Sequence, residues 1–332
     1  MNSHSNTLSD GKLGSLPTKI LTHGQSGARI EVAIKGATLL SWTAPFREES
    51  HAEFISSYNS EEDFESQTGM RSGFLFPFAN RLKDNQYTWD GVTYDVPKQT
   101  PQDFEVIHGF VRLNDWRFES AELDDPQRAS LVFSYAIREN DYEWYPFSVD
   151  LAVRFDVSAT GLSVSLAYRN VGVVDAPAAG GWHPYFQIPG YETIDSLALK
   201  VPSRARIRTD AQLVPLDGES AYEAREGDLI HSQLAGVNYD DAWGRLVPDE
   251  DGFIRTTLTD PNTGEGIAVW QQRGTALVFT GGSFPHPRAS VAIEPIESLT
   301  NAFNREDCES DVRLAPGEER VFHFGVTLLK KS

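Results

Sequence analysis

The chain has 332 residues, 40% hydrophobic and 23% charged, enough apolar side chain for a large core and near the upper limit for one domain. Its formal net charge of −19 repels phosphate backbones and anionic lipid surfaces, which excludes nucleic acid and membrane as expected partners. The single cysteine, Cys308, excludes an intramolecular disulfide and fits a reducing compartment.

Residues 1–27 read as a polar N-terminal tail leading into a first strand, with one domain expected over 28–330. The opening MNSHSNTLSDGKLGSLPTK has no apolar h-region, and no apolar run approaches the ~20 residues that span a bilayer. A soluble cytoplasmic protein is expected. From Arg29 onward the dominant pattern has period two. RIEVAI (29–34) alternates apolar with polar residues. SEEDFESQTG (60–69) predicts one short helix ended by Gly69. TWDGVTYDV (88–96) predicts a hairpin with Asp90-Gly91 at its turn. SLVFSYAI (130–137), FSVDLAVRFDV (147–157), LSVSLAYRNV (162–171) and RVFHFGVTLL (320–329) alternate again, as half-buried antiparallel strands do. DDPQ (124–127) and PDEDG (248–252) read as loops inside one domain. The fold class is therefore all-β, with antiparallel sheets in a sandwich or barrel and few short helices; no repeat of propeller length is visible.

Polar residues in unusual settings mark a candidate site. Arg71 precedes the apolar run FLFPF, which delivers Asn80 and Arg81 to an edge. An Asn offers donor and acceptor and an Arg a planar donor fork, a combination that suits hydroxyl-rich ligands. His108 stands before Gly109 in VIHGFVRLNDW, with Phe110 and Trp116 as apolar walls; Arg112 reads either as a structural ion pair or as an anion contact. His183 lies in GGWHPYF, held extended by the proline after it. Asp240 and Asp241 precede Trp243 in NYDDAW, where carboxylates near an aromatic suit a sugar. Glu294 ends a strand-like run halted by Pro295; alternation puts Ala292 and Glu294 on one face and Val291 and Ile293 on the other. Glu297, past the proline, looks like a loop residue. His183 and Glu294 together offer an acid and a base.

Other chemistries lack their motifs. No H-x-H, C-x-x-C or H-E-x-x-H spacing supports a metal site. There is no G-x-S-x-G elbow, no P-loop and no βαβ alternation for a dinucleotide.

ANRL at Asn80–Arg81, the hairpin after it, HGF-x-R-x-x-x-W from His108, HPYF at His183, D-x-x-aromatic at Asp240 and EP…NAFN from Glu294 follow one another in an order that resembles the aldose 1-epimerases (galactose mutarotases), over roughly residues 28–328. The resemblance implies a β-supersandwich with a sugar on its concave face, and anomer interconversion of a free aldose without cofactor. It implies Glu294 as general base, His183 as general acid, His108 assisting, and Asn80, Arg81, Asp240 and Trp243 at the sugar. RSGFLFPF resembles a segment of the hexose-6-phosphate epimerases, in which Arg71 and Arg112 would meet a phosphate.

A cyclic aldose opens when the C1 hydroxyl loses its proton as the ring oxygen gains one. Glu294 would take the first and an imidazolium at His183 give the second, from opposite sides of the ring. Two other classes share parts of the pattern. A sugar-binding protein on the same fold needs no acid–base pair. A glycoside hydrolase would use Asp240 and Glu294 as two carboxylates across the scissile bond and leave His183 without a role.

Overall fold

Every period-two segment is a strand in the computed structural model, which describes residues 5–98, 106–281 and 286–331. Among these residues all paired strands are antiparallel, and the architecture is all-β. The longest sheet has nine strands. At its centre lie Glu319–Leu329, Gly161–Asn170, Val149–Ser158 and Arg128–Ile137, adjacent in that order. Alternation sends Val149, Leu151, Val153, Phe155 and Val157 into the core while their neighbours face outward. Each such side chain contributes about 1.5–3 kcal/mol by leaving water.

Against this sheet packs a second one, ordered Tyr222–Ala224, Ser203–Ile207, Asp240–Leu246, Thr275–Phe279, Val291–Ile296, Gly181–Trp182 and Phe74–Leu75, with Tyr185–Phe186 paired to Val291–Ile296. Aromatic contacts join the layers: Phe74 meets Phe155, Phe76 meets Tyr168, and Trp182 stacks on Phe324 at 5.6 Å. A third sheet of five strands covers Thr7–Leu13 to Glu49–Glu53. No helix among the described residues is long and apolar enough to cross a membrane.

Three local expectations change. Within the stretch read as a tail, Thr7–Leu13 and Leu16–Thr22 form a hairpin closed at Gly14, whose φ is 64°. Thr7–Leu13 is an outer strand with little burial on either face, so it carries no alternation to read. The helix near Phe64 spans only Glu61–Glu65. Ser60 caps it by accepting from the Asp63 N–H at 3.1 Å, and Gln67 at φ 51° breaks the chain away before Gly69 is reached. The strand bearing Glu294 does not stop at Pro295 but runs to Ile296. Its neighbour on that side bends away at Trp182–Pro184, between the pairs Tyr185↔Ala292 and Gly181↔Ile296, so the missing proline N–H leaves no ladder bond unmade. The hairpin at Asp90-Gly91 forms as expected, with φ of 47° and 82° at its two turn residues.

Candidate active site

The same gap in the ladder builds the centre of the site. Tyr185↔Ala292 and Gly181↔Ile296 lie in one antiparallel register, and midway between them His183 falls opposite Glu294. His183 Nε2 and Glu294 Oε1 are 3.3 Å apart. The His183 backbone is tied at both ends, its N–H donating to Gly73 O and its C=O accepting from the Ser72 N–H. Its ring stacks on Tyr185 at 5.1 Å and meets His108 edge-on at 5.0 Å. Cross-strand pairing thus makes acid and base direct neighbours; the sugar's width between them expected from sequence is absent.

His108 arrives from a loop whose flanks, Val106 and Phe110, pack in the core and whose centre is fixed by backbone bonds. Both His108 and Asn80 are left-handed, with φ of 64° and 60°. The His108 N–H donates to Asn80 O at 2.9 Å, and the Asn80 N–H donates back to His108 Nδ1 at 3.0 Å. That second bond sets the tautomer: Nδ1 accepts, so Nε2 carries the proton and is a donor. Gly109 is required beside it. Its φ is 59°, and a Cβ there would stand 1.9 Å from Phe76 O. Gly109→Ala is expected to destabilise the fold by at least the ~1–3 kcal/mol of a left-handed non-glycine residue. A chemical denaturation curve checks it, and an unchanged midpoint would contradict the packing described.

The NAFN segment holds this loop from the other side. Asn301 donates its N–H to Arg81 O and accepts from the Lys83 N–H, while Asn304 Nδ2 donates to Gln86 O. Asn80 Oδ1 accepts from both the Arg81 N–H and Nη1 at 2.9 Å, aiming the guanidinium.

These side chains converge on one cleft of about 300 Å³, lined by Asn80, Arg81, His108, His183, Asp240 and Glu294, with Tyr185, Leu277, Phe279 and the turn Thr68–Met70 completing its walls. Strand alternation sends Asp240 to this face and its neighbour Asp241 to the other, where Arg206 donates two bonds to it. Trp243 shares the Asp241 face and is 1% exposed in the core against Tyr239, so it does not reach the sugar position expected for it. Glu297 is structural: it accepts from the Gly180 N–H and the Tyr168 hydroxyl.

The two arginines expected at a phosphate do not meet at the rim. Arg112 is 1% exposed beneath the cleft, with Nη1 donating to Gly109 O. Arg71 is bound to Asp63 at 2.5 Å and donates to the carbonyls of Ser57 and Thr68. Both serve the loops that shape the site. Tyr185 is the cleft residue that the sequence reading missed; the alternation that places it two positions from His183 was the available signal.

Burial dominates the electrostatics. It pushes His183 down to about 3, with the positive charge of Arg112 adding to the effect. It drives His108 well below the ordinary imidazole value, with His183, Arg112 and Arg81 pushing the same way. It raises Glu294 well above the carboxylate range, helped by Asp240 and opposed by Arg81. The imidazolium assumed for His183 is thus disfavoured, and so is the ionised form of Glu294.

His108, His183 and Glu294 bring ligand atoms within 4.8 Å of one another, close enough for a metal ion. The donor set does not fit one. A metal needs a lone pair on His108 Nε2, and the Asn80 N–H on Nδ1 forces the proton onto that atom.

Residues 19–327 match the family model described as aldose 1-epimerase. An aldose 1-epimerase of Streptococcus thermophilus is 20% identical over 340 residues, covering 95% of both chains. A galactose mutarotase-like protein from Clostridium acetobutylicum superposes with a TM-score of 0.80 at 14% identity, over 98% of this chain and 99% of that one. A galactose 1-epimerase from Lactobacillus acidophilus NCFM gives 0.77 at 16% identity, with the same coverage. At such identities the structures share the fold. The family model, however, runs through both packed sheets and takes in every residue of the cleft, and on that match the chain belongs to the aldose 1-epimerase family.

Proposed function

We propose that the protein interconverts the α and β anomers of a non-phosphorylated aldose by opening and reclosing its ring, with Glu294 as base and His183 as acid. One observation carries this reading: a buried carboxylate and a buried imidazole 3.3 Å apart at the floor of a polar cleft. The two oxygens that exchange protons, O1 and the ring oxygen, sit on the same carbon, so acid and base must be neighbours. Reaction starts from the arrangement that burial disfavours, with Glu294 ionised and the proton on His183; Glu294 then takes the O1 proton as His183 gives its own to the ring oxygen. Ring opening leaves a protonated Glu294 and a neutral His183, the distribution that burial favours; rotation about C1–C2 and ring closure then run the transfers backwards. His108 Nε2–H is a neutral donor fit to stabilise charge at the ring oxygen. Arg81 and Asp240 supply donor and acceptor for the hydroxyls. Arg71 and Arg112 bond to internal partners, which favours a neutral sugar over a phosphorylated one. For a hydrolase, Asp240 and Glu294 would share the work and the His183–Glu294 contact would be idle.

Polarimetry on freshly dissolved α-glucose, α-galactose and α-glucose 6-phosphate tests the proposal. Accelerated mutarotation of a free hexose is expected, slower or none for the phosphate. No acceleration for any of them would leave the protein a sugar binder.

The coupled pair also sets a pH profile. A second proton adds only as the pH falls toward the depressed value near 3, and the last proton leaves only above the raised value of Glu294. The His183 imidazole is therefore not expected to titrate across about pH 6–7, where an ordinary imidazole near 6.5 would. Plots of kcat/KM against pH are expected to be flat across that window. An acid limb near 6.5 that disappears in His183→Asn would contradict the buried, neutral imidazole.

A further inference from the structure

The cleft does not end at Tyr185. Beyond that ring opens a second trough of about 390 Å³, larger than the cleft itself, lined by Ser56, Asn59, Arg71, Gln187, His286 and Ser290. Tyr185 is a wall of both, and Arg71 joins their floors by donating Nε–H to the carbonyl of Thr68 on the cleft rim. A third hollow of about 380 Å³ continues from the second, sharing Ser56, Asn59 and Gln187 with it. The cleft and the trough thus lie on two sides of the Tyr185 ring, and the reacting atoms occupy only the cleft.

The lining of the second and third hollows has a definite chemistry. Asn59 and Gln187 each offer a donor and an acceptor, as do the serine hydroxyls. Arg71 is neutralised by Asp63 on the same wall, so an anion entering there would meet a carboxylate together with the guanidinium. In the second trough the neutral groups Ser56, Asn59, Gln187 and Ser290 beside the Tyr185 ring match the hydroxyls of a pyranose better than an apolar tail; the third hollow also carries Lys12, Glu31 and Glu53.

We propose that the trough beyond Tyr185 is a subsite for a second sugar residue. The preferred substrate is then a reducing disaccharide, with its free anomeric carbon at Glu294 and His183 and the glycosidically linked ring between Asn59, Gln187 and Ser290. This rests on the epimerase reading above and names its substrate class. With the ring oxygen at His183 and C1 at Glu294, the C5–C6 arm is the side of the reducing sugar that faces Tyr185, so a 1→6 link points into the trough.

The test compares glucose with isomaltose (1→6) and maltose (1→4), following mutarotation of each by polarimetry or by proton NMR of the anomeric signals. Two or three new hydrogen bonds predict kcat/KM about tenfold higher for isomaltose than for glucose. Gln187→Ala, which removes an amide, and Asn59→Trp, which fills the trough, are expected to abolish that advantage and leave the glucose rate unchanged. Equal rates for glucose and isomaltose, a preference for maltose over isomaltose, or an isomaltose advantage that survives both variants would overturn the subsite as described. Turnover of none of the sugars would instead overturn the epimerase reading, so the two failures are distinguishable.

Discussion

Glu294→Gln is expected to lower kcat/KM for mutarotation by about 10²–10⁴-fold, roughly 3–5 kcal/mol of transition-state stabilisation. The amide keeps the shape of the side chain on the buried strand face but accepts no proton from O1. Sugar affinity should change little, because Arg81, Asn80 and Asp240 still line the cleft. Stability should hold or improve. Burial raises Glu294, so the carboxyl costs the folded state stability as the pH rises above the ordinary carboxylate value, and glutamine does not incur that cost. The checks are polarimetry, calorimetric titration with galactose and thermal unfolding at pH 7. Near wild-type rates would remove Glu294 from the reaction.

His183→Asn comes second, with an expected loss of about 10²–10³-fold in kcat. Asparagine retains a hydrogen-bonding amide but has no titratable nitrogen, and at 6% exposure the site admits little water to replace the lost acid. The substitution also removes a ring that stacks on Tyr185 and meets His108 edge-on, so thermal unfolding has to be measured beside activity. If the loss comes from the missing acid, KM for the sugar stays close to wild type while kcat falls. A rise in KM with kcat retained would make His183 a packing residue.

Alternation carried the all-β class because strands of the long sheet bury one face and wet the other, as 149–157 does. Thr7–Leu13 was opaque for the converse reason: an outer strand with little burial on either face needs no apolar rhythm. Of the candidate residues, Asn80, Arg81, His108, His183, Asp240 and Glu294 occur in short motifs whose glycines and prolines serve the backbone, as Gly109 does in passing under Phe76. Those motifs were readable. Trp243, Arg71 and Arg112 were legible as residue types but not as positions. Whether an arginine faces a ligand or an internal carboxylate depends on which distant chain lies beside it, and Asp63 lies beside Arg71.

By itself, then, the sequence determined the strand pattern, the order of the polar motifs and the presence of one carboxylate and one imidazole in them, because these follow from local periodicity and residue chemistry. Only the tertiary structure decided that His183 stands opposite Glu294 rather than a sugar's width away, since register is set by strands more than a hundred residues apart. Burial likewise arises only when those strands pack: it lowers His183 and raises Glu294, while the Asn80 N–H commits His108 Nε2 to donating.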